Sequence, residues 1–282
     1  MTSEEKEIRR FETRVRQMIL AYKEQREKNN ALVEKMEEKN AEIKELKAQV
    51  ATLQSEYASL KMARMIDISA VRAESTLSEV NQIVEAAKKH HFICVFSMPS
   101  MLPYVFEGLQ GMKDVGIGGI VGFPSGGDTT ESKVWQANDL KERGCNEIDM
   151  VMNIGKLKSG LYNDVVEEIR CIKAAVSPLP LKVIIEVALL TDEEVTKAAA
   201  LVLEGGADFV KTGTGWAGAT DMHHVEIIRR TVGDRIRLKV AGGVRSLATL
   251  EAMYDAGVSR FGIGYKSALQ IMQECIDREQ DE

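Results

Sequence analysis

The chain has 282 residues, 44% of them hydrophobic, with a formal net charge of −6 and a pI near 5.5. This length exceeds one average domain, although a single barrel of about 250 residues also fits within it. The acidic balance gives no electrostatic reason to expect nucleic acid or an anionic membrane as a partner. No run of about 18 apolar residues predicts a membrane span.

Cysteine use indicates a reducing compartment. The four cysteines are widely separated and none belongs to a CxxC pair: Cys94, Cys145, Cys171 and Cys275. This spacing argues against a zinc site and against a disulfide framework. The N-terminus also lacks the apolar core of a signal peptide. We therefore expect the protein in the cytoplasm and expect no metal site.

The first 62 residues are highly charged and carry a heptad repeat that starts with Ile8 at position a. Its a and d positions are Ile8, Phe11, Val15, Met18, Tyr22, Gln25, Asn29, Leu32, Met36, Lys39, Ile43, Leu46, Val50, Leu53, Tyr57 and Leu60. So long a 3.5-residue repeat predicts a coiled coil over residues 1–62. Several β-branched a residues, leucine at d and Asn29 at a favour a parallel homodimer. The alternative is a solitary solvated helix.

From Met65 onward, short apolar runs alternate with amphipathic stretches. Eight candidate strands can be counted: Met65–Ser69, Ile93–Ser97, Gly118–Gly122, Glu147–Met152, Leu181–Val187, Phe209–Thr212, Leu238–Ala241 and Arg260–Gly264. Strict β–α alternation predicts an α/β fold, a (β/α)8 TIM barrel over residues 65–282 preceded by a long N-terminal coiled-coil helix. The rival is a doubly wound open sheet. That fold would place a nucleotide fingerprint such as GxGxxG after its first strand, and residues 66–71 contain none.

Two lysines end consecutive strands, each just before a glycine-containing turn. Lys211 closes the sixth predicted strand and Lys239 lies on the seventh. Catalytic groups of such barrels sit at these strand ends, and neighbouring strands lie about 4.8 Å apart. An ammonium on Lys239 would lower the pKa of Lys211, and a neutral amine can attack a carbonyl to form a Schiff base. The alternative is a pair of structural lysines whose charged ends reach solvent.

Three carboxylates lie at or near the same strand ends. Asp149 lies between Ile148 and Met150 on the fourth strand, and a buried carboxylate there needs partners that the two lysines could supply. Asp149 could then relay protons, whereas a structural ion pair is the competing interpretation. Asp67 on the first strand has a weaker case for catalysis, and Glu186 is a candidate supporting carboxylate.

Glycine-rich turns follow strands six, seven and eight, where barrels commonly bind phosphate. Converging backbone N–H groups can hold an anion in such turns. The predicted substrate- and phosphate-binding residues are Thr212, Thr214, Gly215, Gly242, Gly243, Gly264 and Lys266. Turns between strands and helices also use glycine for purely structural reasons.

With these residues the chain resembles the 2-deoxyribose-5-phosphate aldolase family from about Met65 to Met272. The matching segments are residues 147–155, 182–186, 206–212, 239–245 and 122–124. The resemblance implies that Lys211 is the Schiff-base lysine, that Lys239 lowers its pKa and that Asp149 relays protons. It also matches Asp67 to the first-strand aspartate of the family. The implied reaction splits 2-deoxy-D-ribose 5-phosphate reversibly into acetaldehyde and glyceraldehyde 3-phosphate, without a metal or other cofactor.

The chain departs from the family pattern after strands one, two and eight, and in its added coil. The family's serine pair after strand eight is replaced by Gly264 and Tyr265. Three hypotheses follow: this aldolase with an oligomerisation coil, a Schiff-base aldolase for another sugar phosphate or carbonyl donor, or a coiled-coil scaffold with a vestigial barrel. Since the coil leads into the start of strand one, we expect it at the barrel face opposite the active site.

Overall fold

Eight parallel strands close into one barrel, which confirms the predicted TIM-type fold and excludes the doubly wound sheet. The structure is a computed structural model that describes residues 2–281, with side chains described through residue 278. Met1 and Glu282, the outermost residues of the two predicted domains, lie outside the described residues. The strands pair in chain order, and β8 pairs with β1 to complete the barrel.

The strands are β1 Ile66–Ala70, β2 Cys94–Ser97, β3 Gly116–Val121, β4 Glu147–Val151, β5 Leu181–Ile184, β6 Phe209–Lys211, β7 Arg237–Ala241 and β8 Arg260–Gly264. The helices are α1 Ser3–Ala63, α2 Leu77–His90, α3 Leu102–Gly108, α4 Thr130–Glu142, α5 Ile154–Lys158, α6 Tyr162–Val176, α7 Asp192–Glu204, α8 Met222–Val232, α9 Leu247–Asp255 and α10 Tyr265–Asp281. Short 3₁₀ turns cover Pro99–Met101, Val187–Leu189 and Gly233–Arg235.

The long helix α1 contributes to two compact units, one ending at Glu56 and the other beginning at Tyr57. In the first unit the apolar a and d residues are all exposed in the isolated chain. In the second unit the end of α1 is buried, with Met62 and Ala63 in the hydrophobic core. The unit boundary therefore lies six residues before the predicted end of the coil. No helix within residues 2–281 combines the length and apolarity needed to cross a bilayer.

Capping residues fix where two barrel helices begin. Thr76 and Glu79 form a reciprocal capping box at the start of α2, and Thr191 and Glu194 do the same for α7. Each box satisfies two backbone N–H groups that the first helical turn leaves without partners. These starts agree with the capping pattern visible in the sequence.

Alternation along the strands separates an apolar outer layer from a barrel interior that holds the ionisable side chains beside a small apolar cluster of Cys94, Phe96 and Ile120. On β4, for example, Ile148 and Met150 pack in the main hydrophobic core, while Glu147 and Asp149 lie among charged groups. Successive strand side chains point to opposite faces, so the outward residues pack under the helices and the inward residues converge. The barrel interior is therefore where ionisable side chains of different strands meet.

One strand ends three residues earlier than predicted. We expected β5 to extend to Val187, but it ends at Ile184, and Glu186 adopts a left-handed backbone with φ of 53°. Side-chain hydrogen bonds compensate for this costly conformation, because the Glu186 carboxylate accepts from the backbone N–H and the hydroxyl of Thr214. The bend thereby ties the loop after β5 to the loop after β6.

Candidate active site

The two lysines predicted to be neighbours lie opposite each other across β6 and β7. Lys211 pairs in register with Lys239, and the Nζ atoms of both lie 2.7 Å from Oδ2 of Asp149. Asp149 comes from β4, so three strands place these groups at one point of the barrel interior. All three are buried, with Lys211 the most accessible at 7% exposure.

A second set of charged groups extends this cluster. Most of its members were not among the predicted site residues. Lys182 of β5 lies 2.6 Å from Oε1 of Glu147 and 3.2 Å from Oδ1 of Asp149. Arg260 of β8 forms ion pairs with Glu147 and with Asp67. The sequence did contain a signal for this network: Lys182 lies inside an otherwise apolar four-residue strand. A lysine buried there requires carboxylate partners.

Asp67, the first-strand candidate, belongs to this network. Its Oδ2 lies 2.6 Å from Nζ of Lys239. Burial would raise the pKa of Asp67, but Lys239, Lys182 and Arg260 outweigh burial and lower it. Asp67 therefore stays ionised and is the second carboxylate in contact with Lys239, beside Asp149. The structure brings the four predicted catalytic residues together.

Burial is the main reason why Lys211 is a weaker base than ordinary lysine. Desolvation and the nearby Lys239 lower the pKa of Lys211 to about 8, although Asp149 acts in the opposite direction. The sequence interpretation named Lys239 as the cause, whereas burial contributes more. A substantial fraction of Lys211 is consequently neutral near pH 8 and able to attack a carbonyl carbon.

Asp149 is held as a carboxylate by its lysine neighbours. Burial alone would raise the pKa of Asp149, but Lys182, Lys211 and Lys239 together hold it well below its usual range. A carboxylate that stays ionised can accept a proton from a reacting group and pass it on. The Nζ atoms of Lys211 and Lys239 lie 2.7 Å from its Oδ2, which is within hydrogen-bond distance.

An aromatic ring packs against the two lysines. The ring centroid of Phe96 on β2 lies 4.2 Å from Nζ of Lys239 and 5.9 Å from Nζ of Lys211. A Cβ atom on Gly118 of β3 would overlap this ring, so the ring fits only because residue 118 is glycine. Phe96 was not among the predicted site residues. Its position accounts for part of the desolvation of Lys211.

Lys211 lines a cavity of about 440 Å³. Several predicted substrate-binding residues line it together with Lys211 and Lys239: Thr214, Gly215, Gly242, Gly264 and Lys266. This volume is in the range of small-molecule binding sites. An added Cβ atom on Gly264 would meet nothing within 4 Å, so the cavity is open on that side.

Two predicted phosphate contacts do not line this cavity. The hydroxyl of Thr212 is fully buried and accepts hydrogen bonds from the Ala241 backbone N–H and the Thr220 hydroxyl. It therefore holds β6 against β7. Gly243 packs against the loop after β6, where an added Cβ would lie 3.0 Å from that of Ala219.

One group within residues 2–278 has metal-ligand spacing. Ligand atoms of Asp67, Cys94 and Glu147 lie within 4.8 Å of one another. Both carboxylates are already paired with Arg260, and burial raises the pKa of the Cys94 thiol well above its usual range. A protonated thiol and carboxylates that already neutralise a guanidinium do not fit a metal ion.

Comparison with known proteins supports an aldolase barrel. Residues 61–274 match the family described as DeoC/LacD family aldolase, and residues 1–69 match the family described as ZapB related. A deoxyribose-phosphate aldolase of Sinorhizobium medicae is 44% identical over 215 residues, which cover 76% of this chain and 87% of that protein.

Similar solved structures include two that are described as deoxyribose-phosphate aldolases. A putative deoxyribose-phosphate aldolase from Coccidioides immitis superposes with a TM-score of 0.71 at 30% identity, covering 76% of this chain and 85% of the other. The deoxyribose phosphate aldolase from Aeropyrum pernix, described as tetrameric, gives a TM-score of 0.67 at 25% identity, covering 76% and 91%.

The pKa of Lys211 predicts how Schiff-base formation depends on pH. Reductive trapping of Lys211 by acetaldehyde and borohydride should increase with pH and reach half of its plateau near pH 8, because only the neutral amine attacks. In Lys239→Met the midpoint should move to higher pH, since a nearby positive charge is lost. Intact mass measured across a pH series gives both midpoints. An unchanged or lower midpoint would contradict this electrostatic role, and the exposed Lys113→Met serves as control.

Lys182 should contribute strongly to stability. Lys182→Met leaves Glu147 and Asp149 buried with one cation fewer, so the free energy of unfolding should fall by about 3–5 kcal/mol. Urea titration followed by circular dichroism measures the change, and Lys113→Met should stay within about 0.5 kcal/mol of the parent protein. A loss below about 1 kcal/mol would mean that the remaining cations suffice.

Proposed function

The chain belongs to the DeoC/LacD aldolase family, and we propose that its barrel cleaves 2-deoxy-D-ribose 5-phosphate reversibly into acetaldehyde and D-glyceraldehyde 3-phosphate. One observation carries this proposal: the buried Lys211 amine, with a pKa of about 8, lies 2.7 Å from Asp149 and faces the open cavity. The relative from Sinorhizobium medicae, named for this activity, supports the choice of substrate.

In the first step the neutral amine of Lys211 attacks the aldehyde carbon C1 of the open-chain sugar. The resulting carbinolamine loses water and becomes an iminium ion. Lys239 lies between Asp67 and Asp149, and its positive charge favours the neutral form of the neighbouring Lys211. Burial under Phe96 also keeps bulk water away from the amine.

In the second step the bond between C2 and C3 breaks. A base removes the proton of the C3 hydroxyl, C3 becomes the aldehyde carbon of glyceraldehyde 3-phosphate, and the bonding electrons flow into the iminium to give an enamine. Asp149 is suited to relay these protons, since it stays ionised beside both lysines. Protonation of the enamine at C2 and hydrolysis then release acetaldehyde and free Lys211.

A second candidate substrate class is a different phosphorylated sugar or carbonyl donor. The open space beside Gly264 favours it, because this strand end carries no side chain to define the pocket. The same iminium chemistry on Lys211 would apply. Assaying a series of aldehydes as donors against glyceraldehyde 3-phosphate separates the two candidates.

Removing the amine of Lys211 tests the mechanism. In Lys211→Met, cleavage of 2-deoxyribose 5-phosphate should fall by at least about 10³-fold, and borohydride with acetaldehyde should add no ethyl group. Peptide mapping of the parent protein should place the adduct on Lys211. Lys113→Met, which changes an exposed lysine, should retain both activities.

The contrary outcomes are distinct. Trapping at Lys211 without cleavage of 2-deoxyribose 5-phosphate would keep the Schiff-base chemistry and reject this substrate. Aldol activity that persists in Lys211→Met would favour the scaffold hypothesis. An adduct on Lys239 would reverse the two lysine roles.

We further propose that the N-terminal segment is a parallel coiled coil that joins two copies of the chain in the cytoplasm. Thirteen apolar a and d residues of the heptad are exposed in the single helix, and a second copy would cover them. Asn29 at an a position favours in-register parallel pairing. The wide spacing of the four cysteines, none of them in a CxxC pair, favours a reducing compartment.

Deleting residues 1–56 tests this assignment. The cut leaves Met62 and Ala63 in the barrel core, so the truncated protein should fold, lose the coil-mediated association and keep turnover per barrel within a few-fold. Light scattering gives the mass of both forms. An unchanged oligomer would show that the coil does not form the interface, and a collapse of turnover in a folded truncation would mean that the coil takes part in catalysis.

Asn29→Leu in the full chain should allow coiled coils with more than two helices, because a polar a residue specifies the number of helices.

A further inference from the structure

An arginine from the loop after β1 reaches across the cavity that contains Lys211. The side chain of Arg72 is exposed, and its Nη1 donates to the backbone carbonyl of Gly215 at 3.4 Å. Its Cζ atom lies 5.6 Å from the ring centroid of Trp216. Gly215 and Trp216 follow Lys211 closely in the chain, so Arg72 joins two different loops at the cavity wall.

The surface that supports Arg72 is itself fixed. The indole of Trp216 donates to the backbone carbonyl of Val71 at 3.0 Å, and its backbone N–H donates to the hydroxyl of Thr214 at 2.9 Å. That hydroxyl in turn donates to the carboxylate of Glu186. A guanidinium that stacks on a fixed aromatic face loses little additional conformational freedom when it binds an anion.

The contacts of Arg72 leave its charge available. A backbone carbonyl and an aromatic face do not neutralise a guanidinium, and they use one of its five N–H groups. Arg245 lines the same cavity from the loop after β7, and Lys266 lines it from the first turn of α10. Glu79 also lines it, so three cations face one carboxylate there. This part of the cavity wall therefore carries an excess of positive charge.

We propose that Arg72 binds the phosphate of the sugar substrate and thereby determines the preference for phosphorylated over unphosphorylated compounds. This inference rests on the proposed aldolase function and adds a specificity residue that the sequence analysis did not contain. Arginine suits the task, because its planar guanidinium can donate two parallel hydrogen bonds to a phosphate dianion. The chemistry at Lys211 does not require Arg72.

The test separates phosphate binding from Schiff-base chemistry in the full-length protein. Arg72→Gln should lower kcat/KM for 2-deoxyribose 5-phosphate by about 10- to 100-fold, mainly through KM, because a charge-assisted contact is lost. Trapping of Lys211 by acetaldehyde, which carries no phosphate, should stay within about twofold of the parent rate. Arg72→Lys should lie between the two proteins. Arg230→Gln, an exposed arginine on α8, is the matched control and should change neither readout.

Two results would overturn the proposal: an unchanged KM in Arg72→Gln, or an equal loss of cleavage and trapping, which indicates a structural role for Arg72. Competitive inhibition by inorganic phosphate gives a second measure, and its inhibition constant should rise in both Arg72 variants. If Arg72→Gln does not fold, Arg72→Lys carries the same comparison. Absence of trapping in the parent protein would instead reject the aldolase proposal, so the two failures are distinguishable.

Discussion

Charge balance inside the barrel governs the rest of the structure. Seven ionisable side chains meet there: Asp67, Glu147, Asp149, Lys182, Lys211, Lys239 and Arg260. Four cations against three carboxylates leave one positive charge in excess if all are ionised. An unbalanced charge in a desolvated interior is costly, so the cluster favours the neutral form of one base. Lys211 loses its proton most easily, because it is desolvated and has only Asp149 as a carboxylate partner among residues 2–278, whereas Lys239 contacts both Asp67 and Asp149.

Local patterns in the sequence predicted the fold well. Alternation of apolar runs with amphipathic stretches predicted eight strands, most of them within two residues of the observed ends, because barrel strands must bury one face under helices. The capping residues Thr76 and Thr191 mark helix starts through local hydrogen bonds, which sequence proximity alone determines. The heptad repeat is also a local pattern, and it correctly predicted the long helix α1.

Features that depend on distant contacts were harder to predict. The left-handed backbone of Glu186 is stabilised by Thr214, 28 residues away, so nothing near Glu186 indicates that β5 stops early. Spacing showed that Lys211 and Lys239 are neighbours, but the degree of burial, which contributes most to the pKa of Lys211, depends on Phe96 from another strand. Thr212 was expected at the substrate, yet its hydroxyl bonds to β7.

The ring of Phe96 occupies space that exists only because residue 118 has no side chain. These two positions on adjacent strands therefore cannot drift independently during evolution. A lineage that acquired a larger residue at 118 would first have to shrink residue 96, and a smaller residue 96 would admit water to the lysines. The basicity of the Lys211 amine thus depends on residues 96 and 118 together. Substituting only one of them in a related barrel would not reproduce it.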